Sequence, residues 1–175
     1  MMRFQLGLSK EVMRLFASDI GATEYFSYVG NLVTVEKCIA VMAILTPDFI
    51  EREGCIFWRS NADEYDPAKF PMEGYKRDAS GKLMPSDHRR DIERYRNNFT
   101  VSQFFSLWEG TPGKPVSSIS LSEEDYKLCH IFAQQIERYW RVALSECFPD
   151  RSFEFEITDD LLDEYGVCLT FCQNN

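Results

Sequence analysis

The chain contains no apolar run long enough to cross a bilayer. The longest, Cys38 to Leu45, falls far short of the roughly 20 residues a spanning helix needs, so no membrane span is expected. Met1 to Lys10 scatter a few apolar residues among polar ones and lack the apolar stretch of a secretory leader. Histidine is scarce: His88 and His130 are the whole supply. No two histidines stand at i, i+4 and no Cys-x-x-Cys occurs, which removes the usual zinc ligand spacings, and no metal site is expected. Basic residues are outnumbered, 19 against 28 acidic ones, for a formal charge of −9. That balance disfavours a nucleic-acid binder, whose affinity for phosphates comes mostly from Lys and Arg. Internal repeats and low-complexity tracts are also missing.

What is present suits one globular domain over residues 1–175. The hydrophobic share is 45% and the aromatic share 14%, too high for a wholly disordered chain. Six cysteines could suggest a disulfide framework, but their placement argues against it. Cys129 and Cys147 would share one helix face ~27 Å apart at about 1.5 Å per residue. Cys168 and Cys172 would share one strand face ~13 Å apart, too far for a bridge. Buried thiols and a cytoplasmic location are the expectation, and the sequon Asn98-Phe99-Thr100 is then a chance match.

The strongest pattern is a helix over about 122–148. Ser122 supplies a capping hydroxyl, Glu123, Glu124 and Asp125 suit the positive end of the dipole, and Pro149 marks the stop. Cys129, Phe132, Ile136, Trp140, Ala143 and Cys147 recur at helical spacing as its apolar stripe, and His130, Gln134, Glu137 and Arg141 form its polar face. Phe153 to Ile157 alternates apolar and acidic residues, a strand with one wet face. Gly166 to Cys172 reads as its antiparallel partner, joined through an acidic connection, Thr158 to Tyr165. Ser9 to Ile20 reads as a short helix, Thr34 to Leu45 as a helix or a buried strand with the helix preferred, and Phe49 to Trp58 as a hairpin turned at Gly54. Residues 60–86, broken by Pro67, Pro71, Gly74, Gly81 and Pro85, read as a long loop. Asp87 to Arg96 and Thr100 to Trp108 return to helical spacing. The fold class is therefore α+β: a small antiparallel sheet packed against one long helix, with shorter N-terminal helices closing the core.

Chemistry-bearing motifs are sparse. Gly110-Thr111-Pro112-Gly113-Lys114-Pro115 looks like a phosphate loop, but the first required glycine falls at Trp108 and the magnesium-binding hydroxyl is replaced by Pro115, so no nucleotide or other cofactor is expected. Both histidines read as solvated. Paired carboxylates could support a hydrolase, although 28 acidic residues make such pairs inevitable by chance. Charge is uneven: Lys69 to Arg96 carries eight basic and five acidic residues, leaving the rest of the chain at −12. Glu154 and Glu156 should project from the wet face of their strand beside Asp159, Asp160, Asp163 and Glu164, forming one acidic strip. That cluster lacks the alternating ligands of a calcium loop. By elimination the expected function is a binding or inhibitor protein that masks a basic surface of a protein partner, of the type of small acidic immunity proteins. The alternatives are a carboxylate hydrolase and a non-catalytic subunit of a larger assembly.

Overall fold

Ser122 opens the dominant element. Its hydroxyl accepts from Asp125 N at 3.0 Å, the following helix runs Glu123–Cys147, and Phe148 closes it with a backbone bond to Leu144 O. The computed structural model describes residues 8, 10–16, 24–58, 73–77, 79–104, 121–161 and 164–174. Within them a 3₁₀ helix (Lys10–Leu15) precedes helices α1 (Tyr25–Leu32) and α2 (Val35–Leu45). Hairpins β1 (Phe49–Arg52) with β2 (Cys55–Trp58) and β3 (Glu73–Arg77) with β4 (Leu83–Asp87) follow. The chain continues through α3 (Arg89–Arg96), β5 (Phe99–Thr100), α4 (Val101–Phe104), the long helix α5 (Glu123–Cys147), β6 (Phe153–Leu161) and β7 (Glu164–Gln173). All strand pairs are antiparallel, and the largest sheet runs β5-β7-β6. The class is thus α+β as read from sequence. No helix among the described residues is long and apolar enough to cross a membrane.

β7 is buried on both faces, which explains why it reads as a nearly continuous apolar run. Val167, Leu169 and Phe171 join Cys129, Ala133, Ile136, Trp140 and Leu144 of α5 in the main core, with Ile56 from β2. The alternate residues Cys168, Thr170 and Cys172 turn to the other side, where Thr170 Oγ1 donates to Arg94 O of α3 at 2.7 Å. The sheet is therefore covered by α5 on one face and α3 on the other. Trp140 sits at the centre of an aromatic cluster with Phe49, Trp58, Phe99 and Phe171, and its indole N–H donates to Ile44 O, tying α2 to α5.

Glu93 of α3 and Asn97, which caps that helix, join hairpin β1–β2 to the sheet. Glu93 and Asn97 lie one turn apart and are both fully buried. Glu93 accepts from Ile56 N on β2 at 2.6 Å and from Gln173 N on β7 at 2.7 Å, and Gln173 Nε2 donates to it at 2.5 Å. Asn97 Nδ2 donates to Ile56 O and Phe171 O at 2.8 and 3.2 Å, while its Oδ1 accepts from Trp58 N at 3.4 Å. The two side chains supply hydrogen bonds that a directly paired strand would have made, so both strands keep their polar groups satisfied across the gap.

Several expectations change. The buried α5 stripe is Cys129, Ala133, Ile136, Trp140 and Leu144; Phe132 and Ala143 are only partly buried and Cys147, in the last turn, is exposed. The expected stripe was centred about one residue off, and the core ends before the helix does. Its polar face is not solvated throughout, because Arg141 lies 4.4 Å from the Phe155 ring centroid and bonds Phe153 O, so that face packs along β6. The described part of the first helix is 3₁₀. Thr34 caps α2, settling the helix-or-strand question for residues 34–45. The acidic connection after Ile157 is mostly strand: β6 continues to Leu161 past a register shift between Thr158 and Asp160. The expected loop over 60–86 holds hairpin β3–β4, turned where Gly81 takes a φ of +83°. Residues 60–72, Trp108 and the Gly110–Pro115 motif lie outside the described residues.

All six cysteines are thiols. Burial pushes the Cys55 thiol up to about 12, with the Glu93 carboxylate adding to the shift, and pushes Cys129 up to about 11. Since the thiolate is the reactive species, Cys147 should be alkylated first in the native protein and Cys55 and Cys129 last, all six reacting after denaturation. Mass-resolved iodoacetamide labelling measures the order; early labelling of Cys55 would contradict the packing.

Candidate functional site

The acidic strip is not a bare negative surface. β6 does project Glu154 and Glu156 away from α5, but α3 runs beneath them with the opposite charge. Arg90 ion-pairs with Glu154, and Arg94 grips Glu156 with two bonds at 2.8 and 3.0 Å. The pairs are a third to a half exposed, so each contributes about 1 kcal/mol or less to stability. Their greater effect is to cancel local charge, and they use part of the basic Lys69–Arg96 segment. Asp159 turns toward α5 instead: His130 Nε2 lies 2.9 Å from its Oδ1, and a bond from the Tyr126 hydroxyl to Asp159 pushes that phenol above its ordinary value. His130 is thus paired rather than solvated. Asp160 is exposed and pairs in register with Tyr165. Glu164 opens β7, and Asp163 lies outside the described residues. Among the described side chains of that strip, Glu154 and Glu156 therefore meet α3 while Asp159 meets α5.

Chemistry for a hydrolase is thin among the described residues. The buried carboxylate is Glu93, and it already accepts three hydrogen bonds within the fold. It borders a polar cavity of about 170 Å³ with Gly54, Arg89, Arg90, Gln173 and Asn174. Burial raises the Glu93 carboxyl above its ordinary value, while donation from Gln173 and Ile56 and the Arg151 charge pull it back part of the way. The folded state therefore holds this proton longer than the unfolded chain does. Its contribution to stability is fully present below the unfolded value and is lost as pH rises through the folded one. Glu93→Gln should accordingly flatten the pH dependence of the melting temperature above about pH 4.5; an unaltered slope in that window would contradict the assignment. His88 precedes α3 with its ring against Gly74, where it joins hairpin β3–β4 to that helix. No group of three or more His, Cys, Asp or Glu side chains among the described residues could hold a metal ion.

The feature that sequence reasoning missed is apolar. Neither α1 nor α2 has a buried residue. Val35, Ile39 and Met42, spaced at i, i+4 and i+7, lie along one side of α2 and are 72%, 60% and 64% exposed. On α1, Phe26 is 88% exposed, and Val29 and Leu32 are exposed as well. α2 is apolar nearly all round, yet it packs on α5 through its other side, where Ile44 and Leu45 meet the core. A helix with that composition is normally covered on both sides. The signal was legible in Val35-Glu36-Lys37-Cys38-Ile39-Ala40-Val41-Met42-Ala43-Ile44-Leu45, which suits a buried element better than a surface one. Carboxylates flank the two helices in sequence: exposed Glu24 before α1, exposed Glu36 in the first turn of α2 and exposed Asp48 after it, against one exposed lysine, Lys37. Hydrogen bonds from its own backbone and from Thr34 hold Glu36 below the usual carboxylate range, so it is charged at neutral pH. No known family model, curated protein or solved structure matches this chain.

Proposed function

We propose that this chain is a non-catalytic binding protein that covers a surface of a protein partner through the outward face of α1 and α2. The observation that carries the reading is the exposed apolar row Val35, Ile39 and Met42 along α2, with Phe26 and Val29 exposed on α1. An exposed apolar row along one side of a helix, bordered by charge, marks an interaction surface. The flanking Glu24, Glu36 and Asp48 and the formal charge of −9 favour a partner whose apolar patch is rimmed by basic groups. This keeps the basic partner expected from composition but centres the contact on the helices. Docking on Glu154 and Glu156 would first have to displace Arg90 and Arg94, whereas Val35, Ile39 and Met42 are exposed.

Ile39→Glu tests the reading. Because Ile39 is 60% exposed, the variant should melt within a few degrees of the parent. It should weaken partner binding about tenfold or more, as loss of an anchor at an interface centre does. Unchanged affinity would refute the helical face as the docking surface.

A further inference from the structure

The 3₁₀ helix, α1 and the first half of α5 border an open cleft of about 500 Å³. Val12, Phe16, Tyr28, Leu128 and Phe132 form its walls, all partly buried, and Leu8 at its edge is 40% exposed. This size and lining fall within the range of small-molecule sites, roughly 300–1,000 Å³ and mostly apolar with a few polar groups. Two features select the ligand. Asp125 is the charged side chain among the described lining residues, and no basic side chain accompanies it. Asp125 also shares the first turn of α5 with Glu124 and with Glu123, which pairs with Lys127, so carboxylates outnumber cations at that end of the cleft. Its carboxylate accepts one hydrogen bond, from Ser122 Oγ at 2.8 Å. An anionic head would be repelled here, and a neutral one would gain little.

We infer that the cleft binds a small amphiphilic cation, its apolar body against Phe16, Leu128 and Phe132 and its protonated amine at Asp125. The site shares no named residue with the α1–α2 docking line, so either can fail without the other. Three probes with the same eight-carbon chain separate the contributions: octylammonium, octan-1-ol and octanoate, titrated calorimetrically into the full chain. Octylammonium should bind saturably at one site, about tenfold tighter than octanol, as expected for a hydrogen bond to a charged group. Octanoate should bind more weakly than either. Asp125→Asn should reduce octylammonium to the octanol affinity, and Leu128→Trp, which fills the cleft, should abolish binding of both. Melting temperatures establish that each variant is folded. Should Asp125→Asn unfold, the parent provides the same test: raising salt from about 0.01 to 0.5 M should shrink the ammonium preference by screening. No saturable octylammonium binding, equal affinity for the three heads, a preference that survives Asp125→Asn or high salt, or binding that persists in folded Leu128→Trp would each overturn the inference.

Discussion

Ile136→Asp is expected to abolish the cooperative thermal transition. Ile136 lies at the middle of the α5 stripe with no exposed surface, among Cys129, Ala133, Trp140, Val167 and Phe171. An aspartate there loses the aliphatic packing, of order 3 kcal/mol, and adds a carboxylate with no partner in an apolar core. Together these terms match much of the roughly 5–15 kcal/mol that holds a domain folded. Circular dichroism during heating reads the result. A transition like that of the parent would mean the helix packs through another face.

Glu93→Ala should act more locally and with nearly as large an effect. Removing the carboxylate leaves Ile56 N and Gln173 N without their acceptor, at about 1–3 kcal/mol for each buried donor, and opens a cavity between β2 and β7. Asn97→Ala should do the same to Ile56 O, Phe171 O and Trp58 N. Hairpin β1–β2 has four residues per strand and is too short to persist alone, so its attachment depends on these bonds together with its own packing. Both variants should lower the unfolding free energy by about 2–5 kcal/mol, and amide exchange at Ile56 should accelerate before exchange in β6 and β7 does. Uniform loss of protection across the sheet would show that the hairpin and sheet unfold as one unit. The single substitutions should not add, because Ile56 is held by both side chains.

How much of this was legible in the sequence follows the range of the interactions. α5 was readable because its cap, acidic first turn and apolar spacing all lie within one segment. Gly54 made the first hairpin readable, since Glu53 and Gly54 both take positive φ, at 53° and 84°, and glycine adopts this at little cost. α1 was not readable: Tyr25-Phe26-Ser27-Tyr28-Val29-Gly30 is rich in aromatic and β-branched residues, contains a glycine, and begins at Glu24 without a side-chain cap. Hairpin β3–β4 escaped because Pro85 lies within a strand and Lys76 and Arg77 break any apolar alternation.

The acidic strip was legible as a pattern but not as a surface. Alternation correctly put Glu154 and Glu156 on one face of β6, while the arginines that meet them come from 64 and 62 residues earlier. Reversing these glutamates would therefore place lysines against Arg90 and Arg94, which is more than an innocuous surface change. Glu93 was hidden for a related reason. In Asp91-Ile92-Glu93-Arg94 it reads as one charge on a wet helix, and only the approach of β2 and β7 makes it a buried connector.

Site-specific photocrosslinking tests the docking face most directly. Benzoylphenylalanine introduced at position 39 on α2, and separately at position 160 on the β6 edge, would be irradiated in the source cell, with crosslinked proteins identified by mass spectrometry. Position 39 should yield one recurrent partner with a basic surface, lost when Val35→Glu is added, and position 160 should not yield it. Crosslinking of that same partner from position 160 and not from position 39 would contradict the helical docking face and return the interface to the acidic edge.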